Sequence, residues 1–332
     1  AFSARQFAFG GATFVNRVIY IDGGYADELF DLNLKSAHDR RYDPTSLTAG
    51  SVVEFVIASG ILVSASTTST YALTNPNTWP SGVFVRLIIE SGAIVAGRGG
   101  NGGRGGRAYT NRPTTLSDGV ILYYGGDNSN PNSHVQGKKG GNSIRVQSPI
   151  DITNNGIISV GGGGGGGSGG AISYLPPAVL AVCQSGSGGG GGWPYGSGGL
   201  KGQSTLDDST QEDHTEEYNN GGLLLASSNY VGNLGQNSGA AVSVAVGGAA
   251  RVGYSNTDGN PDVIVETYQA GNGAVPPLGI FSTGGGGAYA VGYAGNVYAG
   301  DGGNGGNNGD YAIHGISFVT FTTTGTIYGA TS

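Results

Sequence analysis

The stretch Gly82–Gly106, GVFVRLIIESGAIVAGRGGNGGRGG, contains both of the patterns that decide the fold. Its first part is an apolar run rich in β-branched residues, then a Ser-Gly dipeptide and a second apolar run, which predicts strand, turn and strand. Its second part, Gly97–Gly106, alternates two glycines with one larger residue. The sequence therefore predicts that a β unit feeding directly into a glycine-rich unit is the element from which the chain is built.

The strand part of this pattern recurs along the chain. Ser51–Ser64 reads as strand, gap and strand, and Asn142–Val160 repeats the form with a turn at Asn155-Gly156. Asn154–Gly164 (NNGIISVGGGG) also matches Glu90–Gly100 (ESGAIVAGRGG), because in each a short apolar strand follows a turn glycine and runs into a glycine stretch. We interpret the copies as an internal repeat.

Glycine makes up 68 of the 332 residues, whereas a globular protein averages about 7%. Polyproline II has three residues per turn, so a Gly-Gly-x rhythm leaves two bare faces against which neighbouring helices can pack. Strands abut the runs directly and Ser is scarce inside them, which favours packed helices over flexible Gly/Ser linkers. We interpret the sequence between the runs as connecting segments of ordinary composition: Ala108–Asn142, Ala171–Ser185, Gln203–Val231 and Ala249–Thr283.

The overall composition indicates an ordered protein that does not bind nucleic acid. A hydrophobic content of 37% with 18 Tyr and 10 Phe is not typical of disorder. The net charge of −7 argues against binding to phosphate backbones, and we interpret the basic cluster Arg98, Arg104 and Arg107 as a solvated rim. The single Cys183 excludes an internal disulfide framework. No apolar run reaches the roughly 18 residues of a transmembrane helix.

The repeated units LIIESGAIVAGRGGNGG and SPIDITNNGIISVGGGGGGG, with the closing stretch Gly315–Ser332 (GISFVTFTTTGTIYGATS), resemble the C-terminal regions of phage tail-tip host-specificity proteins and central tail fibres. The resemblance covers roughly residues 48–170 and 310–332. Glycine-rich sandwiches of packed polyproline II helices also occur in the tip adhesins of long tail fibres. The resemblance implies a homotrimeric virion protein at the distal end of a phage tail, bound to other tail or baseplate proteins. It implies no catalysis and no cofactor.

The expected fold class is mostly β with packed glycine-rich polyproline II helices, arranged as a β-structured base and a glycine-rich tip. Residues 1–47 are expected to form an upstream connecting or base segment, and 48–160 a β-rich domain of strand–turn–strand units. Residues 161–310 are expected to form the tip with variable loops, and 311–332 a strand that returns to the base. Within the first segment, Ala26–Arg41 predicts a loop or a short turn of helix before Pro44.

Receptor-binding residues are expected on the segments that connect the glycine-rich helices, because loops held by a rigid scaffold commonly carry binding functions. Tyr and Trp give a large contact area at a low cost in rotamer entropy. Each candidate could instead serve core or inter-subunit packing. The expected ligand is an outer-membrane protein, a lipopolysaccharide or a pilus. The candidates are Tyr123, Tyr124, Tyr174, Trp193, Tyr195, Tyr289, Tyr293 and Tyr298.

The sequence gives only weak indications of a catalytic or metal-binding site. Ser168 lies in a Gly-Gly-Ser-Gly-Gly match to a nucleophile elbow, but no helix follows it. Leu206–Tyr218 (LDDSTQEDHTEEY) is interpreted as a solvated acidic loop, with cation binding as the alternative, and the four His lack zinc-ligand spacing. Three alternatives to an adhesin stay open: a structural fibre segment without recognition, an ice-binding protein, and a glycan depolymerase. The long parallel β-helix pattern of depolymerase spikes is not found.

Overall fold

The structure is a computed structural model, and it divides the chain into two compact units. Unit 1 comprises Ala1–Arg98, Gly141–Gly161 and Gly309–Ser332, and unit 2 comprises Gly99–Gly140 and Gly162–Asn308. The residues that it describes are 5–9, 12–105, 108–110, 122–124, 136–167, 171–175, 180–184, 189–199, 204–206, 223–225, 263–265, 273–274, 276, 290–292, 297–299 and 304–332.

Unit 1 contains three sheets in which the chain runs parallel from one coil to the next. Its strands are β1 (Arg5–Phe9), β2 (Ala12–Ile21), β3 (Leu32–Asn33), β4 (Val52–Ile57), β5 (Leu62–Ser64), β6 (Tyr71–Asn75), β7 (Phe84–Ile89), β8 (Ile94–Ala96), β11 (Asn142–Val146), β12 (Ile150–Asn154), β13 (Ile157–Ser159), β21 (Tyr311–His314), β22 (Val319–Thr323), β23 (Thr326–Tyr328) and β24 (Ala330–Thr331). The sheet orders are β1-β2-β4-β7-β12-β22, β5-β8-β13-β23 and β3-β6-β11-β21-β24.

These orders define a three-sided β-solenoid. The chain visits the first, second and third sheet in turn through β4, β5 and β6, and it repeats this path through β7, β8 and β11 and in the following coils. Each of these strands pairs in parallel with the equivalent strand of the next coil, for example β4 with β7 and β7 with β12. A short parallel β-helix is therefore present in unit 1, although the sequence shows no long β-helix pattern. The coils do not form a continuous repeat in the sequence, because long insertions interrupt two of them.

Stacked aliphatic side chains form the core of unit 1. Phe55 lies opposite Leu87, and Leu87 lies opposite Ile152, and all three side chains are fully buried. Val63, Val95 and Ile158 form an equivalent buried column in the second sheet. Alternate residues point inward along a strand, so the β-branched runs recognised in the sequence supply one core residue per coil to each column.

Glycines with positive φ turn the chain from the first sheet to the second. Gly60 and Gly92 have φ values of +80° and +84°, a left-handed conformation that side chains disfavour. The amide of Gly60 donates a hydrogen bond of 3.2 Å to the carbonyl of Gly92 in the next coil. The Ser-Gly turn predicted in Gly82–Gly106 is thus a solenoid corner, because β7 and β8, which flank it, lie in different sheets.

The start of unit 1 is closed by an antiparallel strand and a helix. β1 pairs antiparallel with β2 at the edge of the first sheet. The helix α1 (Leu34–Arg41) begins after Asn33, whose side chain accepts a hydrogen bond from the amide of Ser36. It is the one α-helix among the described residues, and it lies where a short turn of helix was predicted. No helix in the described part of the chain is long and apolar enough to cross a membrane.

Unit 2 contains short strands between glycine-rich segments. Its strands are β9 (Ala108–Thr110), β10 (Leu122–Tyr124), β14 (Ala171–Leu175), β15 (Leu180–Gln184), β16 (Ser204–Leu206), β17 (Leu223–Leu225), β18 (Val263–Val265), β19 (Ala290–Gly292) and β20 (Val297–Ala299). They form sheets of order β10-β9-β16, β17-β15-β14-β20 and β18-β19. The prediction of a mostly β chain is confirmed by the sheets of both units.

The compact units divide the chain at places other than those expected from the sequence. Residues 99–140 belong to unit 2, whereas the sequence placed them in a β-rich domain of residues 48–160. Residues 1–47 contribute β1, β2, β3 and α1 to unit 1. The functional roles assigned to residues 1–47, 48–160, 161–310 and 311–332 stay predictions.

Candidate receptor-binding region

Among the described residues of unit 2, seven glycine-rich segments are joined to one another by backbone hydrogen bonds. We number them in chain order, and the third, which consists of glycine alone, bonds to the first, second, fourth, sixth and seventh. Their described residues are 99–105 (first), 136–140 (second), 162–167 (third), 189–193 (fourth), 196–199 (fifth), 273–274 (sixth) and 304–308 (seventh).

The hydrogen bonds between these segments recur every third residue. In the first segment, the amides of Gly100 and Gly103 donate to the carbonyls of Gly162 and Gly165 in the third, both at 2.8 Å. The amides of Gly99 and Gly102 donate instead to Pro194 and Ser197, at 2.6 and 2.8 Å. Each segment therefore presents a different face to each neighbour, and buried backbone groups are paired as a stable interior requires.

The segments approach one another too closely for any side chain at the contacts. A Cβ atom added at Gly163 would lie 1.8 Å from the carbonyl oxygen of Gly306, and one at Gly164 would lie 2.1 Å from that of Asn101. At Gly102 the distance to the carbonyl oxygen of Gly189 would be 2.0 Å. Glycine is thus required here for close backbone packing, whereas in the first segment the larger residue between two glycine pairs, Asn101, is exposed.

Sequence reasoning missed the second segment. It placed residues 136–140 in the connecting segment Ala108–Asn142, although Gly137 and Gly140 flank Lys138 and Lys139 with the spacing of three seen in the other segments. In the structure the amide of Lys138 donates to the carbonyl of Asn101 at 2.8 Å. The run of five residues was too short to stand out, but its Gly-x-x-Gly spacing was a usable signal.

Trp193 and Tyr195 lie in a tight turn between the fourth and fifth segments. The Trp193–Pro194 peptide bond is cis, and Tyr195 has a φ of +61°. Trp193 is 1% exposed, so its side chain packs inside the unit and is removed from the candidate contact residues, whereas Tyr195 is 40% exposed. The carbonyls of Pro194 and Trp193 accept hydrogen bonds from Gly99 and Gly162, which places this turn where the first and third segments begin.

Four of the other candidates lie on strands that the fold brings together. Tyr123 and Tyr124 are in β10, Tyr174 is in β14 and Tyr298 is in β20. β14 pairs antiparallel with β20, where Ile172 lies opposite Tyr298, and β10 lies beside both of these strands. β9 and β14 follow the ends of the first and third segments along the chain. Tyr289 and Tyr293 lie outside the described residues.

The ionisable side chains of the described residues form no metal-binding group, and their buried His38–Asp39 pair is structural. Among them, no group of His, Cys, Asp and Glu side chains is arranged to hold a metal ion. Ser168 and residues 207–218 of the acidic stretch Leu206–Tyr218 lie outside the described residues. In unit 1, buried His38 contacts the carboxylate of Asp39 through Nδ1 at 2.8 Å and Arg17 through Nε2 at 2.6 Å. Burial lowers the pKa of His38, and Arg17 occupies the nitrogen that a catalytic base would need, so the dyad is structural.

In unit 2 a hydrogen-bonded backbone scaffold is followed along the chain by strands that lie beside one another, and such connecting segments commonly carry the functional residues of a protein. The family model of the phage tail fibre adhesin Gp38 matches residues 23–332. The chain belongs to this family. It is therefore a bacteriophage protein of the virion, located at the distal end of the tail, and an adhesin that binds the bacterial surface. The resemblance to receptor-binding ends of phage tails is confirmed.

Comparison with solved structures gives a match to the crystal structure of the gp37–gp38 adhesin tip complex of the bacteriophage S16 long tail fibre. The sequences are 17% identical, the match covers 95% of this chain and 83% of that chain, and the TM-score is 0.41. No curated protein matches the chain.

Proposed function

We propose that the chain binds its receptor through the paired strands and connections of unit 2, with the glycine segments as the rigid support. The observation that carries this proposal is the placement of Tyr123, Tyr124, Tyr174 and Tyr298 on three neighbouring strands, β10, β14 and β20. Tyrosines grouped on a rigid scaffold provide contact area with little loss of conformational entropy. The receptor is an outer-membrane protein, a lipopolysaccharide or a pilus.

Binding of the purified protein to whole bacteria tests this proposal, using strains that each lack one surface structure. We expect binding that is lost with a single receptor. A double variant, Tyr123→Ala/Tyr124→Ala, is expected to weaken binding by about tenfold or more, as the loss of aromatic contact residues commonly does. Tyr195→Ala is the matched control. Tyr195 lies where the first and third segments begin, whereas β9 and β14 follow the ends of those segments. If Tyr195→Ala alone abolished binding, the receptor-contact surface would be at that end of unit 2.

We infer that the glycine segments adopt the polyproline II conformation. Hydrogen bonds that return to the same neighbour at every third residue, as at Gly100 and Gly103, support a helix with three residues per turn. An experimental structure is expected to show φ near −75° and ψ near +145° along the third segment. Extended β values there would contradict the inference.

We propose that unit 1 joins the chain to another tail fibre protein. The solved relative is a complex of two fibre proteins, and the first sheet of unit 1 exposes large apolar side chains at Tyr20 (47%) and Phe84 (58%). We expect Tyr20→Ser/Phe84→Ser to lose co-purification with the fibre while the chain stays folded. Thr320→Ser, an exposed residue on the same sheet, is the control and should co-purify normally.

The predicted homotrimer is a separate proposal. A glycine segment becomes ordered only when several neighbouring segments pack against it. The hydrogen bonds described above join segments of one chain, so this packing alone does not require three copies of the chain. Light scattering of the purified protein tests the proposal, and a mass of one chain would contradict it.

A further inference from the structure

The first and second glycine segments of unit 2 lie side by side and carry the basic residues of this scaffold. The amide of Lys138 donates to the carbonyl of Asn101 at 2.8 Å, which fixes the two segments as neighbours. Asn101, Lys138 and Lys139 are exposed, and Arg104, one turn beyond Asn101, is half-buried. We call Asn101, Arg104, Lys138 and Lys139 the basic face.

The backbone packing directs these side chains outward. Gly100 and Gly103 are bonded to the third segment, and Gly102 meets the fourth at a distance that admits no Cβ atom. In the second segment, the carbonyl of Lys138 accepts a hydrogen bond from Gly164 at 2.9 Å. Glycines and backbone groups thus occupy the inner faces of the two segments, which leaves the outer side to the larger residues.

The charge of the basic face differs in sign from that of the chain. In the described residues of the seven segments, the side chains charged at neutral pH are Arg104, Lys138 and Lys139, and all three are positive, whereas the whole chain has a net charge of −7. Clustered charge of one sign attracts ligands of the opposite sign. The side-chain amide of Asn101 is held in place, because its Oδ1 accepts a hydrogen bond of 3.0 Å from the backbone N–H of Ser197.

We propose that the basic face binds the phosphate groups of a phosphorylated saccharide on the bacterial surface. The inference rests on the proposed adhesin role of unit 2, and it adds a contact separate from the tyrosine-bearing strands. Lysine and arginine form short, charge-assisted hydrogen bonds with phosphate oxygens, and an oriented amide suits the adjacent sugar hydroxyls. A scaffold whose backbone is already ordered loses little further conformational entropy on binding.

Titration with the phosphorylated core oligosaccharide released from host lipopolysaccharide tests the proposal. We expect Lys138→Ala/Lys139→Ala to weaken binding by about tenfold or more, and dephosphorylation of the oligosaccharide to weaken it similarly. Binding of the unaltered protein should decrease at about 1 M salt, where the Debye length is short. The matched control is Arg86→Gln/Arg145→Gln, which removes two exposed positive charges from unit 1 and should bind as the unaltered protein does.

The inference would be overturned by equal binding of the dephosphorylated oligosaccharide, by equal loss in the control variant, or by equal binding of a short DNA duplex, which would indicate general anion attraction. Adsorption to whole cells separates this inference from the proposed function. If the unaltered protein adsorbs to cells but does not bind the oligosaccharide, only the basic face is misassigned. If it binds no strain at all, the proposed function of unit 2 fails.

Discussion

Unit 1 and unit 2 are both built from rows of chain that lie side by side, but the rows are held together by opposite means. In unit 1, coils stack on buried side chains such as Phe55, Leu87 and Ile152. In unit 2, the third segment has no side chains at all, and its neighbours reach it through amide–carbonyl hydrogen bonds. The hydrophobic effect therefore stabilises the first unit, whereas close backbone packing and hydrogen bonding dominate in the glycine segments of the second.

This difference predicts opposite responses to side-chain volume, and the largest effect is expected at a glycine contact. In Gly306→Ala the new Cβ atom would lie 2.2 Å from the carbonyl oxygen of Lys138, and a backbone carbonyl cannot move away as a flexible side chain can. We expect unit 2 to lose its folded structure, with a cost above about 4 kcal/mol, measured by thermal unfolding and limited proteolysis. Asn307→Ala, at the exposed neighbouring position, should unfold as the unaltered protein does.

The second-largest effect is expected in the core of unit 1. Leu87→Ala removes a fully buried side chain and should lower the free energy of unfolding by about 3 kcal/mol, measured by denaturant titration. The adjacent Arg86→Ala removes an exposed side chain and should change it by less than about 0.5 kcal/mol. If adding one methyl group at Gly306 cost less free energy of unfolding than removing the isopropyl group of Leu87, the contrast between the units would be wrong.

A smaller loss of stability is expected where a buried side chain of unit 1 is bonded to backbone groups. The Nδ2 of fully buried Asn154 donates to the carbonyls of Thr324 and Thr326, at 2.7 and 3.3 Å, and its Oδ1 accepts from the amide of Gly156 at 3.1 Å. Asn154→Ala should cost about 2 kcal/mol, because it leaves these groups unpaired. Chemical denaturation would measure this cost, and the exposed neighbour Asn155→Ala serves as the reference. An unchanged midpoint in Asn154→Ala would show that the last coil closes without this side chain.

The smallest effect is expected from acid. Burial is the main cause of the lowered pKa of His38, and the adjacent charges of Arg17 and Lys35 lower it further, whereas Asp39 opposes them. The unfolded chain therefore binds a proton at His38 near pH 6.5, where the folded chain does not. The free energy of unfolding should fall as the pH decreases below about 6.5. His38→Gln should flatten this part of the stability profile, and a profile identical to that of the unaltered protein would refute the assignment.

The strands could be predicted from the sequence better than their arrangement. The β-branched runs around Phe55 and Leu87 predicted the first two of the three strands in each of these coils, because burial on one face requires that pattern. Pairing with the next coil could not be predicted, since long insertions separate β8 from β11 and β13 from β21. The Gly-Gly-x rhythm indicated close packing of glycine segments, but it did not show which segments touch.

The candidate site was less predictable for a physical reason. A tryptophan within a glycine run has few local side chains to cover it, so exposure of Trp193 was a fair expectation. The structure buries its side chain instead, and its backbone is bonded to other segments, because its amide donates to the carbonyl of Ala274 and its carbonyl accepts from the amide of Gly162. Contacts of this kind form between distant parts of the chain and leave no local pattern.

Backbone hydrogen bonds also join the two ends of each insertion in the solenoid. Before the first insertion the carbonyl of Arg98 accepts a hydrogen bond from Gly141, 2.7 Å away, and before the second the carbonyl of Gly161 accepts one from Gly309 at 2.9 Å. β11 and β21 then continue the third sheet side by side. The solenoid is thus complete without the inserted residues. A phage genome that recombined within the codons flanking these two joints would exchange the whole of unit 2 for another insertion and leave the solenoid of unit 1 unchanged.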